Sequence, residues 1–245
     1  MRVSIHVDDL TKRLGRTQAL DGVTTRFETG LMHGVIGPEG AGKTTLFRHL
    51  VGLLRPNSGS LRYFDSGQPT TLEAVRPNLA YMPQQQSLYP DLSIEEHLEF
   101  FRELHGLSDA EYIEKRDRLL HLTRLEKFRD RPAGQLSGGM YKKLGLMCAL
   151  VSSPSVLLLD EPTNGVDPIS RREFWELLYH LSEQNILIVI ATAYMDEAER
   201  CARVHLMDAG KLIGAGEPRA LMEQEKVRSF DEYFLRRSAD RSRDA

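Results

Sequence analysis

The sequence predicts an α/β fold: a parallel sheet core, an N-terminal antiparallel β region, and an all-helical subdomain inserted into the core. Three observations carry this prediction. Short apolar runs at Gly34–Gly37, Val156–Asp160 and Ile186–Ala191 each end in polar chemistry. Buried parallel strands with functional residues at their carboxyl ends read this way. Alternating or β-forming residues cluster near the N-terminus, and strands are absent from roughly Leu88 to Leu150, where helical periodicity takes over.

In chain order, Val3–Val7, Val23–Phe27 and Leu61–Phe64 are predicted as the N-terminal strands. Gly34–Gly37 follows as a buried strand, and a helix opens near Lys43 and runs on through Thr45 and Leu46. Ser93 with Glu96 forms a capping box, after which Ile94, Leu98, Phe101 and Leu104 recur at helical spacing. Ser108 with Glu111 repeats the signal before a second helix carrying Ile113, Leu119, Leu120 and Leu122. Residues 1–235 are expected to form one domain, with the helical subdomain at about 88–150. The tail, 236–245, is polar and charged with no aliphatic anchor apart from alanine, and is expected to be disordered.

Composition excludes several classes. A chain of 245 residues that is 41% hydrophobic and 27% charged is ordinary for a globular protein. A net charge of -3 lacks the basic excess of a nucleic-acid binder, so no nucleic-acid partner is expected. The longest apolar stretches, Val156–Leu159 and Ile186–Ala191, fall far short of the ~20 residues that cross a bilayer. Met1–Leu10 carries three charges and no apolar core, so it does not read as a signal peptide. Any membrane role therefore comes through a partner, without direct insertion. Cys148 and Cys201 have no metal-ligand or redox spacing. Cys148 lies among Leu144, Leu146, Met147 and Leu150 and reads as a reduced core cysteine, compatible with a cytoplasmic location.

Gly37-Pro38-Glu39-Gly40-Ala41-Gly42-Lys43-Thr44 matches the pattern G-x-x-x-x-G-K-[ST]. Glycines allow a tight turn whose N–H groups converge on phosphates, and the helix that follows adds its positive end. Lys43 is expected on the β- and γ-phosphates of ATP, with the Thr44 hydroxyl on Mg²⁺ and Thr45 continuing the cradle. The pattern follows a predicted strand and opens a helix, as the mechanism requires. Val156-Leu157-Leu158-Leu159-Asp160-Glu161-Pro162 supplies the complementary carboxylates. Asp160 is expected to hold Mg²⁺ through water, and Glu161 to polarise the attacking water. The core is therefore expected to be that of a P-loop NTPase.

Gln135-Leu136-Ser137-Gly138-Gly139-Met140, between these motifs, resembles the LSGGQ signature of ABC ATPases, and the motif order is similar to that family from about Val3 to Ala220. The resemblance implies a second cassette, with ATP sandwiched between one chain's phosphate loop and the other's Leu136–Met140. It also implies integral membrane permease subunits and a position on the inner face of the cell membrane. Gln84, in Tyr81-Met82-Pro83-Gln84, resembles the Q-loop glutamine that touches Mg²⁺ and the lytic water; with Lys43 and Glu161 it completes the expected catalytic set. Leu88–Leu92 would lie near the membrane subunit. Asn164-Gly165-Val166-Asp167 occupies the place of the D-loop, with Pro168 starting the next helix.

Two positions depart from the family. Ala193 stands where the switch histidine is usual, and alanine can neither contact the γ-phosphate nor hold a proton. Leu14 stands where an aromatic side chain usually stacks on adenine, a change costing on the order of 1 kcal/mol of stacking. His33 and His205 lie in or beside predicted strands and read as structural. The runs Asn164–Glu173 and Tyr194–Glu199 resemble cassettes of type-2 ABC exporters of drugs, closest to the N-terminal cassette of bacterial tandem ATPases. That implies an ATPase of low intrinsic activity paired with a complete cassette. A self-sufficient homodimeric cassette is the first alternative. A non-transport ABC ATPase, ribosome-associated, regulatory or acting in DNA repair, is the second; it lacks support because neither a second cassette nor a long coiled coil is in this chain.

Overall fold

Alternation of buried and exposed side chains builds the first sheet. Val3, Ile5, Val7 and Leu10 point inward along β1 (Val3–Leu14), and Leu20, Val23 and Phe27 do so along β2 (Thr17–Phe27). The computed structural model describes residues 1–85 and 88–243. The following elements are β3 (Met32–Ile36), α1 (Lys43–Leu50), β4 (Ser58–Asp65), β5 (Gln68–Thr70), α2 (Leu72–Val75) and β6 (Leu79–Met82). Next come α3 (Ile94–His105), α4 (Asp109–Thr123) and α5 (Gly138–Leu150). The chain closes with β7 (Val156–Asp160), α6 (Pro168–Ser182), β8 (Leu187–Thr192), β9 (Arg203–Asp208), β10 (Lys211–Gly216), α7 (Pro218–Glu225) and α8 (Phe230–Arg243).

Two sheets result. An antiparallel sheet has the order β2-β1-β4-β5, and a mixed sheet has the order β10-β9-β3-β8-β7-β6, parallel throughout except for β10 against β9. The central strands are buried on both faces and divide their side chains between two cores. Val156, Leu158, Leu187 and Val189 pack with Phe27, Phe47 and the inner face of the antiparallel sheet. Leu157, Leu159, Ile188 and Ile190 pack on the opposite side with Leu144, Phe174, Trp175 and Phe230 from the helices. Each fully buried side chain of this kind contributes about 1.5–3 kcal/mol.

Between β6 and β7 every described element is helical. Both capping boxes form as their sequences predict: Ser93 Oγ accepts from the Glu96 amide while Glu96 accepts from the Ser93 amide, and Ser108 and Glu111 repeat the exchange. Cys148 and Cys201 are buried free thiols, with burial raising both above the usual thiol range.

The expected disordered tail is corrected over residues 236–243, which continue α8; residues 244–245 lie outside the described residues. The anchor lies one to two turns upstream, where Phe230 and Tyr233 are buried. Arg237 Nε then donates to Ile213 O, Ser238 Oγ donates to Asp208 Oδ2, and Arg236 pairs with Glu232. Considering aliphatic anchors only from Arg236 onward missed the aromatic pair that docks the helix. Strands β5, β6 and β10 are also additions to the expected set. Each is short, at three to six residues, and only half-buried or exposed over most of its length, so its run is too brief to establish a strand pattern.

His33 and His205 lie in the core, joined through His33 Nδ1 and His205 Nε2 at 3.0 Å; Thr25 Oγ1 lies 2.6 Å from His205 Nδ1. Burial lowers His33 to about 4 and His205 well below its ordinary value, with the Glu28 backbone partly opposing the shift at His33. An unfolded histidine binds its proton near 6.5, so the unfolded chain takes up protons first as pH falls. Stability from this pair is complete above pH 6.5 and declines toward pH 4, by about 3 kcal/mol for His33 alone. Denaturant unfolding measured at several pH values checks this: His33→Gln flattens the decline between pH 6.5 and 4.

Candidate functional site

Strand register brings the site together. In the parallel ladders Ile36 lies opposite Thr192 and Asp160 opposite Ala191, so β3, β7 and β8 end at one level. The ladder extends one step beyond the strands, with Gly37 N–H donating to Thr192 O (3.2 Å) and Glu161 N–H to Ala191 O (2.9 Å). From Gly37 the chain turns over the strand ends and enters α1 through Gly42. Gly42 has φ +103°, and a Cβ there would lie 2.5 Å from Ala19 O, so glycine is required on both counts. No side chain caps α1, which leaves its first amides available to an anion. A cleft of about 330 Å³ opens here, lined by Glu39–Thr45, by Thr17 and Ala19 of β2, and by Gln84 and Glu161.

Lys43 is nearly buried. Its ammonium donates to Gly37 O (2.7 Å) and Pro38 O (3.0 Å) and pairs with Glu161 Oε1 at 3.0 Å. Glu161 Oε2 accepts a bond from Ala193 N–H at 3.3 Å. Glu161 itself has φ +50°, a left-handed conformation that is strained for a side chain of this size. Behind this pair, Asp160 is fully buried. Tyr81 Oη donates to Asp160 Oδ2 at 3.2 Å, and burial together with the Asp160 charge raises the phenol so that it stays a donor. Burial raises the Asp160 carboxyl, while hydrogen bonds from Thr44 and Tyr81 and the Lys43 and Arg48 charges pull it down.

Asp160 Oδ1 has no hydrogen-bond partner among the described residues. An orphaned carboxylate oxygen beside the Thr44 hydroxyl is a fitting donor set for a hard divalent cation, which takes oxygen ligands and keeps several waters. Gln84 lines the same cleft, and its carbonyl accepts from Lys142 Nζ at 3.3 Å. Lys142 also reaches Glu161 O at 3.5 Å.

The signature segment lies outside this cleft. Ser137 caps α5, its Oγ accepting from Met140 N–H at 3.3 Å, and Leu136 and Met140 pack against the helical core. Ser137 and Gly138 are exposed, whereas Gly139 is buried, and a Cβ at 139 would lie 2.5 Å from the Ser170 side chain. Asp167 caps α6 through bonds from the Ile169 and Ser170 amides, with Pro168 as first helical residue, as its position predicts. Leu14 is also outside the lining. It is 42% exposed at the end of β1, directly opposite Thr17, which does line the cleft.

A third buried carboxylate was not anticipated. Glu197 Oε1 accepts from Thr163 Oγ1 (2.8 Å), Arg171 Nε (2.7 Å) and Trp175 Nε1 (3.0 Å). It ties the turn after β7 and the start of α6 to the segment after β8. Glu197 stands in an acidic run whose other members are exposed, so no sequence signal separates it from them. Tyr81 had a better signal, one strand position before Met82-Pro83-Gln84.

A family model described as ABC transporter matches residues 20–164. The chain belongs to the ABC transporter family. Within it the chain is an ATP-binding cassette. The probable multidrug ABC transporter ATP-binding protein YbhF of Escherichia coli is 47% identical over 201 residues, 82% of this cassette. The cassette matches 35% of that relative's length. The Nod factor export ATP-binding protein I of Cupriavidus metallidurans is 36% identical, with 92% of the cassette and 75% of the relative aligned. Among solved structures, an ATP binding subunit of an ABC transporter superposes with a TM-score of 0.83 at 29% identity, covering 96% of the cassette and 99% of that chain. CbiO1 of Clostridium perfringens, part of the ABC transporter complex cbiONQ, gives 0.80 at 28% identity, covering 92% of each. No helix among the described residues is long and apolar enough to cross a membrane.

Because Lys43 is engaged by Glu161, the two changes that disturb this pair act oppositely on the cassette's nucleotide affinity. Lys43→Ala weakens ATP binding by about ten- to a hundredfold, the loss of a charged hydrogen bond. Glu161→Gln tightens it by releasing Lys43. Titration with a fluorescent ATP analogue reads both.

Proposed function

We propose that the cassette binds and hydrolyses ATP to drive a membrane permease of the export type, working head to tail with a second cassette. The observation that carries this reading is the convergence of Lys43, Thr44, Asp160 and Glu161 at the ends of β3 and β7, while Ser137 and Gly138 stand exposed outside the cleft. Such a signature segment has no ATP to serve within its own chain. It offers a serine hydroxyl and helix-end amides to a nucleotide held by another cassette. The export direction rests on the names of the relatives, a multidrug and a Nod factor export protein.

In this mechanism the β- and γ-phosphates enter beneath Gly40–Thr45 and take over Lys43 from Glu161. Thr44, Asp160 and Gln84 would hold a divalent cation, which would screen the phosphate charge. Glu161, freed of its cation partner, orients and polarises the attacking water. Closure of the paired cassettes then moves the Gln84 segment and the helices between β6 and β7, which pass the motion to the permease.

The cassette's own site is the slow one of the pair. At the switch position only the Ala193 backbone N–H reaches Glu161. No side chain there can bond the γ-phosphate or share its proton. Its signature segment instead completes the partner's site.

Steady-state ATP hydrolysis by the purified cassette tests this, beside Glu161→Gln and Ala193→His. The expected result is slow turnover that rises with Ala193→His and falls at least about a hundredfold from that level when Glu161→Gln is added. Rapid wild-type turnover abolished by Glu161→Gln would instead make it a self-sufficient homodimeric cassette.

A further inference from the structure

At the opposite end of the sheet from Asp160 and Thr192, where β7 and β8 begin, lies a cavity of about 430 Å³. One wall is a single face of α4, whose Lys115, Arg118, Leu119 and Leu122 recur at helical spacing. Its floor is apolar: Leu119, Leu150, Leu181 and Ile186 line it and are each at most 9% exposed. The rim is cationic, with Lys115 and Arg118 on one side and Arg2 on the other.

The charge pattern is one-sided. No aspartate or glutamate lines the cavity, although the chain as a whole carries an acidic excess. Among the described residues, no ion pair within 4.0 Å or side-chain hydrogen bond engages Arg2, Lys115 or Arg118. The acidic charge acting on Lys115 is Glu111, one turn away on α4 outside the cavity lining. Elsewhere on the surface, arginines such as Arg102, Arg116 and Arg171 are paired. The Arg2 backbone is pinned, with its N–H on Asp65 Oδ1 and its C=O taken by Ser66, which fixes the main chain of residue 2 beside the cavity it lines. Two rim residues, Ser153 and Asn185, adopt left-handed backbone at φ +51° and +58° without being glycine. Both lie just past the C-termini of α5 and α6, where a left-handed residue commonly stops a helix, so the two helix ends are fixed at the rim.

A pocket of this size with an apolar floor and a few convergent charges of one sign matches small-ligand sites in general. We propose that it binds an amphipathic carboxylate, the apolar body on the leucine floor and the carboxylate among Lys115, Arg118 and Arg2. Occupancy ties α4 to the starts of β7 and β8, joining the helical insertion to the sheet at the end remote from the nucleotide.

Decanoate, kept below its micellar concentration, is the probe, with isothermal titration calorimetry on the whole chain as the readout. Saturable binding at a single site is expected for decanoate. The double variant Lys115→Gln/Arg118→Gln, altered outside the core, weakens it at least about tenfold while leaving ATP affinity unchanged. Leu122→Trp, which fills the cavity without removing charge, also weakens it, whereas decanol and acetate each bind at least about tenfold more weakly than decanoate. Absence of saturable decanoate binding, undiminished binding by the double variant, or equal binding of decanol overturns the proposal. ATP affinity serves only as the control for the double variant, and each overturning result is read on decanoate or decanol, so the nucleotide site is tested separately.

Discussion

The parallel ladder joining β3, β8 and β7 is the constraint on which the nucleotide cleft rests. Its backbone bonds set Ile36 level with Thr192 and Asp160 level with Ala191, then run one residue past the strands to Gly37 and Glu161. A slip of a single residue in any strand would turn its side chains to the other face and move Asp160 from beneath α1. The two cores make such a slip expensive. Leu157 and Leu159 belong to one and Val156 and Leu158 to the other, so each strand is locked from both sides. Strained geometry at Glu161 is possible because this framework over-determines it.

Within that framework the site is electrically closed on itself. Lys43 and Glu161 are both nearly buried, and each is the other's charged partner. Removing one charge from a buried pair costs about 3–5 kcal/mol, whereas exchanging one anion for another does not leave a cation stranded. In the proposed mechanism a phosphate arriving at Lys43 is such an exchange. It leaves the Glu161 carboxylate with its bond from the Ala193 amide. Ala193 matters here through its backbone, which any residue would supply, and through a side chain too short to reach the phosphate.

Much of this was legible in the sequence, and the gaps have physical causes. The glycine-rich run before Lys43, the carboxylates after Leu159 and both capping boxes depend on chemistry local to a few residues, and each forms where its motif predicts. Contacts between distant segments were not readable. Glu197 is a core residue because Thr163, Arg171 and Trp175 converge on it, and nothing in the sequence distinguishes it from the exposed carboxylates Asp196 and Glu199 beside it. Tail residues 236–243 read as unstructured because the docking aromatics Phe230 and Tyr233 precede them. A strand as short as β6 gives too brief an apolar run to tell a strand from a turn of helix, whereas β7 and β8 are longer and fully buried.

The contact between Gly139 and Ser170 limits how this cassette can drift. α5 and α6 begin so close together that a methyl group at 139 would stand 2.5 Å from the Ser170 side chain, with Val166 beside it at 3.6 Å. A larger residue at 139 is accommodated only after 170 shrinks or the two helix starts part. Either step alone brings a clash or a void. The two segments proposed to face a neighbouring cassette, Ser137–Gly139 and Asn164–Asp167, are therefore mechanically coupled. Substitutions that retune one of them reach the other through this single point of touch.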